Sequence, residues 1–220
     1  MPGAELYEIH FFPDRNELEV RRKDGTVVEK FPAKGGDPTM AGSPGGWELT
    51  NSGTFFITRI EKHRSGGRWP LSQYTWGETV RLDINTRGVF GWGKTTPDFT
   101  LSEDDFNNFY ANHPAVLKAR RSGAGFVFVP YYINDFGHIT IKMAPDSNNN
   151  GILDPDERGK MSAHFMHTTP DSELAKMLGA EDTYILDYSH GCIHVKPSDI
   201  DTLIAKYITV DTTKVVIYPY

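Results

Sequence analysis

Cys192 is the only cysteine of the chain, and it stands in Ser189-His190-Gly191-Cys192 with a further histidine, His194, two residues on. One thiol closes no internal disulfide and cannot by itself build a thiolate zinc site. Beside imidazoles it has the parts of an activated nucleophile, because a thiol attacks well only when a base or a positive field favours its thiolate. A third histidine, His167, lies upstream in His-Thr-Thr-Pro. The plainer reading is a small buried apolar residue, since cysteine is among the most buried types. A core cysteine, however, has no need of histidines two positions before and two after it.

A zinc-dependent hydrolase is the rival chemistry. His164, His167, His190, Cys192 and His194 include enough nitrogen and sulfur donors for a metal centre. On a strand, though, positions three apart such as His164 and His167 face opposite sides, and no acidic base stands beside them. A different metal is suggested by Asp146 to Glu157, which fits the twelve-residue calcium-loop pattern. Its ligands would be Asp146, Asn148, Asn150, the Ile152 carbonyl, Asp154 through water and a bidentate Glu157, with Gly151 at the sharp turn. The stretch before it reads as a strand and not a helix. The expected role of Ca2+ is therefore structural, pinning a long loop ahead of His167; the alternative is an asparagine-rich polar turn.

The elements that must position these residues read as mainly β with a few helices. Residues 6–31 form a meander: Leu18 and Val20 alternate with Glu19 and Arg21, and Lys23-Asp24-Gly25 is a hairpin turn. Residues 34–53 are a Gly/Pro/Ser-rich loop, and Thr54 to Ile57 a short strand. Residues 62–100 hold Trp69, Trp76 and Trp92 and read either as a loop excursion with an aromatic cluster or as a substrate wall. Ser102 with Asp105 opens a helix that Pro114 interrupts. Phe126 to Ile133 and His138 to Met143 are strands. Asp171 to Leu178 is a helix closed by Gly179, a second helix follows Pro197, and Val215 to Tyr218 is a last strand.

A net charge of −6 argues against nucleic acid as the main partner. No stretch approaches the roughly 20 apolar residues of a membrane helix. Charges at Glu5, Asp14, Arg15 and Arg21 interrupt the first 30 residues, so no signal peptide is expected there.

Taken together, these motifs resemble the YkuD-type L,D-transpeptidases. Ser189-His190-Gly191-Cys192-Ile193 is similar to that family's Ser/Thr-His-Gly-Cys core, and Met166-His167-Thr168-Thr169 to its upstream histidine segment. Asn51-Ser52-Gly53-Thr54-Phe55-Phe56-Ile57 takes the place of its Thr-Gly-Thr-Phe-like strand. The resemblance runs from Leu6 to Tyr218. It implies one YkuD-like catalytic domain over 1–220, a β-sandwich with long inserted loops, enlarged over 62–157. It also implies a cysteine acyl transferase acting on peptidoglycan stem tetrapeptides, in the periplasm or at the cell wall, with no cofactor for the chemistry. Cys192 would form a thioester at the L-centre of diaminopimelate with release of D-alanine, and an amine or water would resolve it. His167 would be the base and His190 a support of the cysteine loop. Gly191 and Cys192 N–H groups would hold the oxyanion, Ser189 and Thr168 would orient the histidines, and Thr168 and His194 would touch substrate. Three departures stand out. His194 replaces the family's Asn or Arg, 21 residues (168–188) separate His167 from Ser189, and the middle of the chain is enlarged. A non-catalytic wall-binding module and a secreted antibacterial toxin of the same fold are the remaining alternatives.

Overall fold

The computed structural model describes residues 5–65 and 69–220. Twelve strands run β1 (Tyr7–Phe12), β2 (Glu17–Arg22), β3 (Val27–Lys34), β4 (Gly53–Glu61), β5 (Thr79–Asp83), β6 (Gly88–Phe90), β7 (Phe99–Thr100), β8 (Phe126–Pro130), β9 (Thr140–Pro145), β10 (Met166–His167), β11 (Ile193–Val195) and β12 (Lys214–Ile217). The α-helices are α1 (Glu103–Phe109), α2 (Pro114–Ser122), α3 (Pro170–Met177) and α4 (Pro197–Lys206).

Eight strands close into a barrel in the order β1-β12-β4-β9-β10-β11-β3-β2. The alternation read in the meander decides which side chains fill it: Ile9, Phe11, Leu18 and Val20 point inward and are fully buried. Ile57, Ile141, Met143, Met166, Ile193, Val195 and Val215 meet them from the other strands, and Ile200 and Leu203 of α4 join the same cluster. Burying each such side chain contributes about 1.5–3 kcal/mol. The mainly β body with a few helices is the one expected. The two walls of the expected sandwich are joined at both margins, which leaves the main sheet without a free edge.

The middle of the chain builds a second, four-stranded sheet in the order β7-β6-β5-β8. Its own core holds Val80, Leu82, Val89, Leu101, Phe106, Tyr110, Val129 and Tyr131. Residues 62–100 are therefore not an irregular excursion, although 66–68 lie outside the described residues. In Thr79-Val80-Arg81-Leu82-Asp83 only Val80 and Leu82 are buried, a period-two strand hidden between tryptophans. Of the 62–157 stretch, β9 belongs to the barrel.

The helix expected after Ser102 is two helices. Ser102 caps α1 by accepting the Asp105 N–H at 3.0 Å, and Pro114, which lacks an N–H, starts α2. No described helix is long and apolar enough to cross a membrane.

Candidate active site

Strand alternation and parallel register bring the reactive groups together. β10 runs parallel to β11, with His167 opposite His194 and Met166 opposite Ile193. Met166, Ile193 and Val195 point into the barrel core. His167, His194 and, two residues before His194, Cys192 therefore share the outer face. There they line a cavity of about 570 Å³ together with His190, Ser189, His164, Trp69 and Phe136.

The hydrogen bonds fix the imidazole tautomers. His167 Nδ1–H donates to the Thr168 carbonyl at 2.6 Å, which leaves Nε2 as the basic nitrogen. Burial, then the neighbouring His194, holds the His167 pKa well below its ordinary value, so the ring is neutral. His194 Nδ1–H donates to the Asp187 carbonyl at 2.8 Å, and burial lowers its pKa to about 4. The two rings meet edge to face, 4.9 Å between centroids. Burial pushes the half-buried Cys192 thiol up to about 11, opposed only by the Phe165 N–H, 3.4 Å from Sγ. Burial thus favours the neutral thiol of Cys192 and the neutral rings of His167 and His194.

The cysteine loop is held from several directions. Ser189 Oγ accepts the Gly191 N–H at 2.9 Å and donates to the Cys192 carbonyl. The expected oxyanion role of the Gly191 N–H is corrected by this bond: that donor is already engaged by Ser189. Gly191 is required for another reason. Its φ is +122°, and a Cβ there would lie 2.6 Å from His164 Nε2. His190 stacks on Trp47 with centroids 3.8 Å apart and meets the edge of Trp69, so ring contacts support it.

Thr168 does not reach the cavity. It is fully buried, and its hydroxyl donates to Glu173 of α3. That corrects its assignment to substrate contact; its carbonyl, through His167, is what serves the site.

Three supports were missed from the sequence. Thr50 Oγ1 accepts the Gly36 N–H at 2.9 Å and donates to the Cys192 carbonyl at 3.4 Å. Tyr220 donates to the Gly36 carbonyl at 2.7 Å. Buried Glu173 accepts from Thr168 and from the His138 N–H at 3.0 Å. No local pattern signals the first two, because Cys192 and Gly36 lie far along the chain from Thr50 and Tyr220; Glu173 is near Thr168 in sequence but far from His138.

The zinc alternative is corrected as well. Among the described residues no group of three or more His, Cys, Asp or Glu side chains is placed to hold a metal ion. His164 and His167 do both line the cavity, because β10 begins only at Met166 and strand alternation does not apply to His164. His164, however, accepts the Asn51 N–H at Nδ1 and faces Glu48 with Nε2.

The 146–157 loop folds around two buried carboxylates, Asp146 and Glu157. Asp146 accepts the N–H groups of Asn150 and Gly151 at 3.1 and 2.9 Å. Asn148 Oδ1 accepts the Asn150 N–H, and Asn150 Oδ1 accepts the Ile152 N–H. Glu157 accepts from Ser147 and Asp154, and Asp154 accepts the amide groups of Asn148 and Asn150.

Comparison with known proteins gives a family match over residues 7–217, described as YkuD, L,D-transpeptidase catalytic domain. Similar solved structures include Bd1075 of Bdellovibrio bacteriovorus, 16% identical over 99% of this chain and 49% of that chain, with a TM-score of 0.42. L,D-transpeptidase 1 of Mycobacterium tuberculosis is 13% identical over 98% of this chain and 62% of that one, at 0.37. An L,D-transpeptidase from Xylanimonas cellulosilytica is 11% identical over 99% and 63%, at 0.42. The chain spans less than two thirds of the length of each of these relatives. Comparison with curated proteins gives no match.

Proposed function

Because the chain belongs to the YkuD family of L,D-transpeptidase catalytic domains, we propose that it transfers an acyl group from a peptidoglycan stem tetrapeptide through Cys192. The observation that carries this reading is the single thiol and the Nδ1-anchored His167 on one face, in one cavity. His167 Nε2 takes the proton as Sγ attacks the carbonyl at the L-centre of diaminopimelate. The C–N bond to D-alanine breaks, His167 returns the proton to the leaving amine, and a thioester remains. An amine then resolves it to a 3→3 crosslink or an exchanged D-amino acid, or water resolves it to a tripeptide. With the Gly191 N–H engaged, the Cys192 N–H is the remaining backbone candidate for the oxyanion. His194 lines the cavity and, being neutral, would contact substrate as a hydrogen-bonding group.

Such an enzyme works at the cell wall, on stem peptides. We also propose Ca2+ as a structural ion of the 146–157 loop.

Mass spectrometry of disaccharide-tetrapeptide incubated with the protein and with Cys192→Ala tests the activity. The expected result is loss of one D-alanine, with tripeptide or dimer formed only when Cys192 is present. Identical spectra in both samples would remove the acyl-transfer reading for this substrate.

A further inference from the structure

Trp92 is 90% exposed, more than any other large hydrophobic residue described. An indole so far out of the fold does nothing for either core, and together with the exposed Phe128 ring near it forms an aromatic patch of the kind that binding sites use. It borders a groove of about 420 Å³ beside the small sheet. The same groove is lined by Arg64, Glu78, Lys94 and Asp98. Arg64 grips Glu78 through both carboxylate oxygens at 2.7 and 2.8 Å, and Lys94 pairs with Asp98. The groove is therefore electrically balanced while rich in fixed donors and acceptors. The catalytic cavity is different: Glu48, Asp135, Asp171 and Asp187 line it, with no Lys or Arg among its described lining residues. Ser65 lines both, so groove and cavity are neighbours.

From these features we infer a glycan subsite: the Trp92 groove binds the neutral pyranose rings of the polymer whose stem peptide enters the cavity. The inference rests on the proposed function and extends it to the sugar part of the same substrate. The chemistry selects this occupant. A pyranose ring has an apolar C–H face that lies flat on an indole, and a rim of hydroxyl and acetamido groups that bonds to polar side chains around it. A charged ligand gains little from two internally neutralised ion pairs, whereas a neutral polyhydroxyl ligand finds donors and acceptors already held in place. The aromatic surface also continues past the groove: Phe128 of β8 is 56% exposed, and its ring centroid lies 6.2 Å from that of Trp92. One ring would suit a single sugar; a row suits a strand.

The test separates sugar binding from chemistry. In a Cys192→Ala background, which cannot turn over, the protein is sedimented with insoluble glycan strands stripped of their stem peptides. Binding is expected, and Trp92→Ala should weaken it at least about tenfold, in line with loss of an aromatic anchor, while Trp92→Phe keeps most of it. Circular dichroism melts of both variants should match the parent, as Trp92 supports no core. With Cys192 intact, Trp92→Ala should lower kcat/KM about tenfold on glycan-linked tetrapeptide, mainly through KM, and leave free tetrapeptide unchanged. No binding of stripped glycan by the parent, or equal binding by the Ala variant, overturns the subsite. So does an equal loss on free tetrapeptide, or a Trp92-dependent self-association that accounts for the sedimentation. Glycan binding that needs Trp92, without D-alanine release, would uphold the subsite and defeat only the acyl-transfer reading. D-alanine release with glycan binding indifferent to Trp92 would do the reverse.

Discussion

The barrel and the small sheet use the same strand alternation for opposite ends. In the barrel, Met166, Ile193 and Val195 go inward, and the outward residues His167, Cys192 and His194 line a cavity in which His167 is buried and the other two are half-buried. In the small sheet, Val127 and Val129 pack toward the second core, and the outward residues Phe126 and Phe128 stay exposed. One sheet hides its chemistry and the other displays its surface. Desolvation sets the protonation of the first, whereas the second offers contact area with little electrostatic strain. The contrast teaches that the outer face of a strand has no fixed fate; what covers it decides.

The largest effect that would break this contrast lies at Gly191. A Cβ at φ +122°, 2.6 Å from His164 Nε2, has no room unless the cysteine loop moves. Gly191→Ala should therefore cost about 1–3 kcal/mol of stability. Tetrapeptide turnover should drop at least about a hundredfold, since a misplacement of about 1 Å is worth that much. Near-normal turnover in a quenched assay would mean that the loop geometry is not what positions Sγ.

Titration sharpens the contrast next. His167 and His194 are held neutral by burial, both below the ordinary histidine value of 6.5. As pH falls below 6.5 the unfolded chain takes up protons that the folded barrel refuses. These two groups thus stabilise the fold fully above pH 6.5, and that stability is lost as pH falls toward 4. Their share of the melting temperature, read as the difference from a His167→Gln/His194→Gln variant, should be flat from pH 8 to 6.5 and then decline, and the acid limb of kcat/KM should sit below 6.5. In the free enzyme, iodoacetamide alkylation of Cys192 should keep rising until about pH 11. A plateau reached near pH 7 would indicate a thiolate–imidazolium pair in place of the neutral pair.

Some of this architecture was legible in the sequence because it is local. Catalysis asks for particular residue types in consecutive positions, so Ser189 to Cys192 stands out, and the β1–β3 meander shows itself through unbroken alternation. Closure of the barrel is not local: β1 pairs with β12, and no pattern within either strand records that. The supports of the cysteine loop are equally distant, Thr50 and Tyr220 coming from opposite parts of the chain. Thr168 was misplaced because its neighbour His167 does face the cavity, and adjacent strand residues face opposite ways. The small sheet was obscured by strands as short as Phe99–Thr100, set among glycines and tryptophans.

The separation of the two cores gives a regional effect on stability that leaves the chemistry in place. Leu82→Ala removes buried volume from the second core and should cost about 2–5 kcal/mol. Hydrogen exchange should quicken at amides of residues 79–130 while those of β1, β2 and β12 stay protected. Val195→Ala should cost less and reverse the pattern. Exchange that quickens equally everywhere after either change would show that the two cores open as one unit.

The smallest effect is expected at the 146–157 loop, which belongs to neither core. Its carboxylates are already met by the loop's own N–H groups, so the loop closes by itself and the proposed calcium ion would only add to that closure. At about ten times the dissociation constant, a bound ion stabilises by about 1.4 kcal/mol. For a chain of this size that raises the melting temperature by about 3–5 °C. The difference between calcium and chelator should vanish in Asp146→Asn, whatever that substitution does to stability alone, because the charge at the first ligand position is lost. A melting temperature indifferent to millimolar calcium in the parent would leave the loop as a polar turn held by asparagine. The fixing of the segment before His167 would then fall to those hydrogen bonds alone.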